Sequence, residues 1–382
     1  MVYDLLLLNM SREADWRRGV VNRNAAIASE LRSSRRIRKI LSIDFLPHTY
    51  RRALRVWWQD VRDGHVGGKE QASLLTRFSS LDHERRYHCA SIVPIFSEEY
   101  FLRMVERFLR QHGFSETILW SYLPTYVKAF TRLPVRLSVF DAVDDWSCHP
   151  AYRSLRNALN NNYRFLEEHA GTIFTVSREL KNKFPHHRAV HWIPNGVDVN
   201  RFATREPLSP YGTEQRPRIV YVGVIQERVD LALLAWLARE RPGYLFVLIG
   251  PVWRGMDITQ LQKLSNVRFL GFQPANRVPA LLHHASVGIV PHRHDTFVES
   301  MNPMKIYEYL AAGLPVVATH AEGFERYAPA VRRAKRREDF LAALDEWITR
   351  PPPPDICRSL VQRDRWSDRF ASMWDILAPS LT

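Results

Sequence analysis

The chain has 382 residues, 46% of them hydrophobic and 25% charged, with 54 basic side chains against 40 acidic ones and a net charge of +14. That length predicts two domains, each able to bury a full core, with the composition of an ordinary globular protein. Cys89, Cys148 and Cys357 lie too far apart for a metal or redox spacing and suit a reducing compartment, and no stretch approaches the ~18 apolar residues of a membrane span.

The start, MVYDLLLLNM, has no basic leader, so the expected location is cytoplasmic, with the inner face of the cell membrane as an alternative. A pI near 9.9 calls for an anionic partner. Lipid or a phosphorylated substrate is expected rather than nucleic acid, because no zinc finger or aromatic RNA-binding motif is present. The plain alternative is a solvated arginine surface.

In chain order, Val2 to Asn9 reads as a strand, Val20 to Ser33 as a helix and Ile37 to Asp44 as a second strand, with Arg35, Arg36, Arg38 and Lys39 in a solvated turn. The loop NMSREADWRRG lies at the C-terminal end of the first strand, where open α/β sheets bind ligands. Residues 47–84 are less regular, and Gly64, Gly67 and Gly68 mark a loop. There Trp57 and Trp58 sit among Arg51, Arg52 and Arg55, a mixture that suits a membrane interface. The favoured reading packs both tryptophans into the core. Ala90 to Phe96 is another expected strand. Ser97 then caps an amphipathic helix whose apolar stripe is Phe101, Leu102, Val105, Phe108 and Leu109. Its opposite face carries Arg103, Arg107 and Arg110, open to a lipid-linked acceptor.

Glu116 to Tyr122 and Arg136 to Phe140 continue the strands, and the second runs into FDAVDDWS. Side chains just past a strand end emerge into the crevice, so Asp144 and Asp145 are candidates for a general base. They also fit a metal loop or the cap of the next helix. Two more strands, near 171–176 and 189–194, lead to NGVDVNRF and the polar run PLSPYGTEQRPR, which reads as a linker. A second α/β series starts at Arg218, with a turn at Gly223 and a helix near Asp230. Arg228 can grip a diphosphate in two-pronged fashion, or pair with Glu227 or Asp230 at the surface. His292, His294 and Asp295 are a weak metal signal, and no metal is expected.

The stretch ESMNPMKIYEYLAAGLPVVAT, Glu299 to Thr319, organises this second series. Asn302 suits a helix N-cap, Pro303 the first helical position, and Gly313 a left-handed stop before a buried strand. Lys305 falls in the first turn, against the helix dipole, which a bound anion would explain. Glu308 shares its face and could accept from ribose hydroxyls. Lysine is scarce here, eight among the 54 basic residues. Strands alternating with helices in two blocks predict an α/β fold with mostly parallel sheets.

These segments resemble the GT-B glycosyltransferases. NPMKIYEYLAAGLPVV is similar to the donor-binding segment of bacterial family 4 enzymes of the teichuronic-acid type and of the xanthan glucuronosyltransferase, and IPNGVD resembles the exit from their first domain. The resemblance implies two Rossmann-like domains around a deep cleft: residues 1–200, completed by a C-terminal helix at 360–382, for the acceptor, and residues 201–359 for the nucleotide sugar. It implies Lys305 on the donor diphosphate and Glu308 on the ribose, with Gly223, Arg228, Asp295, Ser300, Asn302 and Met304 around the donor and Phe272 and Gln273 at the base. Ser300 stands where many relatives carry a first glutamate, and Val224 where they carry an arginine. Asp144 matches the xanthan enzyme's catalytic aspartate, with Asp145 second. The implied activity is metal-independent transfer from a nucleoside diphosphate sugar, with uridine the family's usual base, to a glycan or polyprenyl-diphosphate-linked acceptor. A nucleotide-sugar epimerase and a non-catalytic transferase-like subunit are the rival readings.

Overall fold

The structure is a computed structural model and describes every residue except 18, 48, 63–69, 74, 83–84, 205–208, 320–322 and 382. The expected loop at Gly64, Gly67 and Gly68 lies outside the described residues. The chain forms two compact units, residues 1–193 with 370–382, and residues 194–369. The first division falls seven residues before the one expected at 200, and the second ten residues after the one expected at 360. One reason is local: Asn195 is hydrogen-bonded to Asn302 and so belongs to the second unit.

The first unit is built on β1 (Tyr3–Leu8), β2 (Ile37–Ile43), β3 (Glu70–Ser73), β4 (Thr76–Asp82), β5 (Arg86–Ser91), β6 (Thr117–Ser121), β7 (Leu137–Ala142), β8 (Thr172–Thr175) and β9 (Val190–Trp192). Their order in the sheet is β3-β4-β5-β2-β1-β6-β7-β8-β9. Pairing is parallel except at β3–β4 and β4–β5, which form an antiparallel edge. All residues of β1, YDLLLL, and of β7, LSVFDA, are buried, as expected of strands covered on both faces. The chain runs outward from β1 on one side and from β6 on the other, so their C-terminal ends form a switch point. A buried polar network closes it. Asn24 donates to Asn9 Oδ1 (2.9 Å), Asn9 donates to Ser42 Oγ (2.8 Å), and Arg23 grips both oxygens of Asp141 (2.9 and 3.1 Å). Burial pushes the Asp141 carboxyl up from its ordinary value, against the pull of the Arg23 charge.

Three local expectations are corrected here. Arg38 and Lys39 lie within β2, not in a solvated turn, and Arg38 holds the buried Asp4 carboxylate with two hydrogen bonds (3.0 and 2.6 Å). The strand expected to reach Phe96 stops at Ser91, and a 3₁₀ turn at Val93–Ile95 follows, because Pro94 has no N–H for a ladder. Trp57 and Trp58 lie on the helix Tyr50–Arg62, but only Trp57 is half-buried, while Trp58 is 64% exposed. Adjacent helical residues diverge by about 100°, so one face could not bury both.

The second unit carries β10 (Arg218–Val222), β11 (Leu245–Ile249), β12 (Val267–Gly271), β13 (Val287–Val290), β14 (Val316–Ala318) and β15 (Val331–Arg333), all parallel, in the order β12-β11-β10-β13-β14-β15. Its switch point lies between β10 and β13. Asp230 caps the helix Leu231–Glu240 by accepting from the Leu233 N–H (2.9 Å). Pro353 is extended and Pro354 opens the helix Pro354–Leu360, whose first position misses no N–H. The last helix, Trp366–Leu381, packs into the first unit from Phe370 onward. There the Tyr3 hydroxyl donates to Leu381 O (3.0 Å), and the Tyr3 and Trp374 rings lie 6.1 Å apart. Among the described residues, no helix is long and apolar enough to cross a membrane.

Close backbone approach at the ends of β10 and β11 yields a prediction. Gly250 has φ +142°, and a Cβ there would lie 2.0 Å from the Gly223 carbonyl oxygen. Gly250→Ala should therefore destabilise the second unit by about 3 kcal/mol. Gly243→Ala, which meets nothing within 4 Å, should stay within about 0.5 kcal/mol of the parent. Thermal unfolding of both variants checks this, and equal midpoints would refute it.

Candidate functional site

The loops leaving β10 and β13 are fastened to each other. Arg293 N donates to Arg228 O (2.8 Å), Asp230 N donates to Pro291 O (2.8 Å), and Val229 and His292 form a β-bridge. The Gly223 turn is held from the other side, its N–H donating to Ile249 O (2.9 Å). This fixes Arg228 at the switch point. With the Gln226 amide oxygen turned toward it, Arg228 donates from Nε (3.0 Å) and Nη2 (3.2 Å). It also lies beside the Tyr221 hydroxyl, whose pKa is raised by burial and drawn back by the arginine's charge. The expected surface pairing with Asp230 is not made, because that carboxylate is engaged as a helix cap. Arg228 is thus a half-buried cation held by neutral groups.

The helix Met304–Ala311 follows in the chain after the loop that leaves β13, and its N-terminus has no side-chain cap. Asn302 is not the N-cap expected of it. Pro303 is extended (ψ 107°), so the helix begins one residue later, at half-buried Met304. Asn302 instead accepts at Oδ1 from Asn195 N (2.8 Å) and the Tyr307 hydroxyl (3.1 Å), and its carbonyl accepts from Asn195 Nδ2 (2.7 Å). Lys305 and Glu308 do come together, with Nζ 2.6 Å from Oε2. Glu308 is buried, whereas the Lys305 side chain keeps 31% of its surface exposed. The next residue, Tyr309, seats the helix on the sheet: its hydroxyl accepts from Val222 N (2.8 Å). Gly313, at φ +84°, ends the helix as expected, and the strand after it is short, Val316–Ala318.

The other candidates have local duties. Asp295 caps the short helix Thr296–Glu299 by accepting from Val298 N (2.8 Å), and the buried Ser300 hydroxyl donates to Phe297 O (2.7 Å). Phe272 is exposed on the loop after β12, and Gln273 folds back to donate to Leu270 O (2.8 Å). His292 is buried, and its carbonyl accepts from Thr319 (2.6 Å). No group of three or more His, Cys, Asp or Glu is placed to hold a metal among the described residues.

In the first unit, Asp144 and Asp145 follow β7 and differ sharply. The Asp145 carboxylate accepts from Lys183 Nζ (2.8 Å), Ser147 N (3.0 Å) and Ser147 Oγ (2.6 Å). Burial pushes its pKa up, but the hydrogen bonds from Lys183 and Ser147 outweigh that and hold it below the usual carboxylate value. Half-buried Asp144 is anchored through its backbone, whose carbonyl accepts from the Tyr163 hydroxyl (3.1 Å). Neither residue caps the helix Arg156–His169, which starts well beyond both of them. Lys183, Asn195, Gln226 and Tyr307 were not singled out from the sequence. Lys183 and Asn195 act through partners remote in the chain, Gln226 through the orientation of its amide, and Tyr307 through Asn302, which the loop before the helix folds back onto it.

Comparison with known proteins bears on the fold and on the second unit. Residues 216–349 match the family "Glycosyl transferases group 1". TuaH of Bacillus subtilis (strain 168), assigned to teichuronic acid biosynthesis as a glycosyltransferase, is 29% identical over 166 residues. That match takes in 41% of this chain and 42% of TuaH, less than half of the relative's length. Among solved structures, sucrose-phosphate synthase from Thermosynechococcus elongatus superposes with a TM-score of 0.70 at 12% identity, covering 99% of this chain and 98% of that one. Anabaena HepE in complex with UDP gives 0.64 at 13%, covering 99% and 100%. The trehalose-phosphate synthase of Burkholderia xenovorans gives 0.66 at 12%, covering both chains entirely. At such identities the superpositions speak for the fold, which is GT-B, and residues 216–349 are a glycosyl transferases group 1 domain within it.

Proposed function

We propose that the protein is a metal-independent glycosyltransferase of cell-surface polysaccharide biosynthesis. It would move a sugar from a nucleoside diphosphate, with uridine the favoured base, to a hydroxyl of a glycan or of a polyprenyl-diphosphate-linked glycan. One observation carries the reading: Lys305 stands in the first turn of an uncapped helix that follows the switch-point strand β13, within the residues that match the glycosyl transferases group 1 family. Free N–H groups, the helix dipole and a lysine together suit a phosphate group. The HepE structures contain UDP, and one also contains glucose, which favours the same donor class here.

In this reaction the bond between the anomeric carbon and the diphosphate oxygen breaks, and a bond to the acceptor oxygen forms. The departing diphosphate gathers negative charge. Lys305, Arg228 and the helix N–H groups stabilise it, each well-placed donor contributing roughly 3 kcal/mol. The acceptor's proton goes to Asp144. Asp145 suits that task less, because its carboxylate is already committed to Lys183 and Ser147. Glu308 orients Lys305 and accepts from the ribose. The proposal assigns the donor to the second unit and the acceptor to the first.

Three measurements test this reading. Thermal stabilisation by a panel of nucleotide sugars should identify the donor, since a ligand bound to the folded state raises its stability by mass action. Lys305→Ala should then lower transfer on the order of a hundredfold while circular dichroism shows an intact fold, and an unchanged rate would remove Lys305 from the site. Asp144→Asn should abolish transfer yet retain stabilisation by the donor, whereas transfer that persists would shift the base elsewhere. Donor consumed equally with and without acceptor would favour an epimerase instead.

The Asp145–Lys183 pair predicts a pH effect with a definite sign. A depressed folded pKa contributes stability above the unfolded value of about 3.9, and that stability is lost as pH falls through the folded value. Lys183→Met removes the Lys183 hydrogen bond and charge and so raises the Asp145 pKa relative to the parent. Between about pH 5 and about pH 3 the parent should therefore lose more of its thermal midpoint than the variant. Parallel curves would show that the pair does not govern acid stability.

A further inference from the structure

The first unit bears an aromatic band that the catalytic reading does not use. On the helix Tyr50–Arg62, Tyr50, Leu54 and Trp58 are 62%, 59% and 64% exposed. Their spacing of four residues places them along one stripe. The band continues across the fold: Phe96, 60% exposed, lies 5.7 Å from the Tyr50 ring, and Tyr100, 50% exposed, follows one turn along the helix Glu98–Gln111. Single exposed apolar side chains are ordinary, but five in one continuous run are not.

The flanks of the band are cationic. At about 100° per residue, Arg51 and Arg55 lie on the solvent-facing side of the Tyr50–Leu54–Trp58 stripe, while Ala53 turns inward. Arg103 and Arg107 lie one and two turns beyond Tyr100 on its face of the helix. All four arginines are exposed, and none has a carboxylate partner among the described residues. Tryptophan and tyrosine favour the headgroup level of a bilayer, where an apolar ring and a polar tip are both accommodated. Arginines beside them meet anionic headgroups. A second copy of the chain is a poorer occupant, because a two-fold contact through this face would bring the same arginines together.

We propose that this face docks the first unit on an anionic phospholipid surface, with Trp58, Leu54 and Tyr50 at the headgroup boundary and Arg51, Arg55, Arg103 and Arg107 on the phosphates. The proposal stands apart from the assignment of donor and base, and its test needs no turnover.

The experiment is sedimentation of the whole protein with vesicles of phosphatidylcholine alone and of phosphatidylcholine mixed with phosphatidylglycerol. Binding is expected with the mixed vesicles only, and it should weaken as salt is raised. The triple variant R51E/R55E/R103E should reduce partitioning on the order of a hundredfold. Trp58→Ala should reduce it by about tenfold. Both changes lie on exposed positions, so unfolding midpoints should match the parent and separate lost docking from lost fold. The proposal is overturned if the protein stays in the supernatant with anionic vesicles, if neutral vesicles bind it equally, or if the arginine variant binds as the parent does. Concentration-dependent dimers that Trp58→Ala dissolves, without vesicle binding, would give the face to a second copy and overturn it as well.

Discussion

A lysine at the positive end of a helix is held there by one buried carboxylate. The dipole opposes the Lys305 ammonium by roughly 0.3–1 kcal/mol, and Glu308, 2.6 Å away and shielded from water, offsets it. The dependence runs both ways, since the half-exposed ammonium is also the partner that orients the carboxylate. The pair is useful only if the helix cannot slide, and two neighbours prevent that. Tyr309 spans from the helix to the Val222 N–H, and its ring fills the place a Cβ on Gly288 would take, 2.4 Å away. Asn302 ties the incoming loop to Asn195, 107 residues earlier in the chain. The free N–H groups, the lysine and the carboxylate therefore keep one geometry before any ligand arrives, which is the condition for electrostatic stabilisation without reorganisation.

Much of this was legible in the sequence where the physics is local. The Gly313 stop, the helix start near Asp230 and the shared face of Lys305 and Glu308 follow from local spacing, and all are present. The apolar run Leu5–Leu8 lies in a fully buried strand, as doubly covered parallel sheets require. What was not legible depends on distant partners. Asn302 has the chemistry of a cap, but Asn195 and Tyr307 compete for its oxygen, and a folded loop brings them there. Asp144 and Asp145 are indistinguishable as letters. Lys183, 38 positions away, separates them by claiming only the second. Composition does not assign faces to two adjacent tryptophans, and the helix turns Trp58 outward.

The same distinction decides what a surplus of positive charge means. A net charge of +14 does not by itself name a partner, because charges more than about 8 Å apart are largely screened at physiological salt. Only the immediate neighbours of each cation discriminate. Arg23 and Arg38 are consumed by Asp141 and Asp4 and serve the fold. Arg228 sits among neutral oxygens beside a strand end, and Lys305 at a helix start; both are confined places suited to a small multiply charged anion. Arg51, Arg55, Arg103 and Arg107 border exposed aromatic rings on an open face, which suits an extended anionic surface rather than a small ligand. Two environments for the same charge thus imply two kinds of anion, one enclosed and one planar.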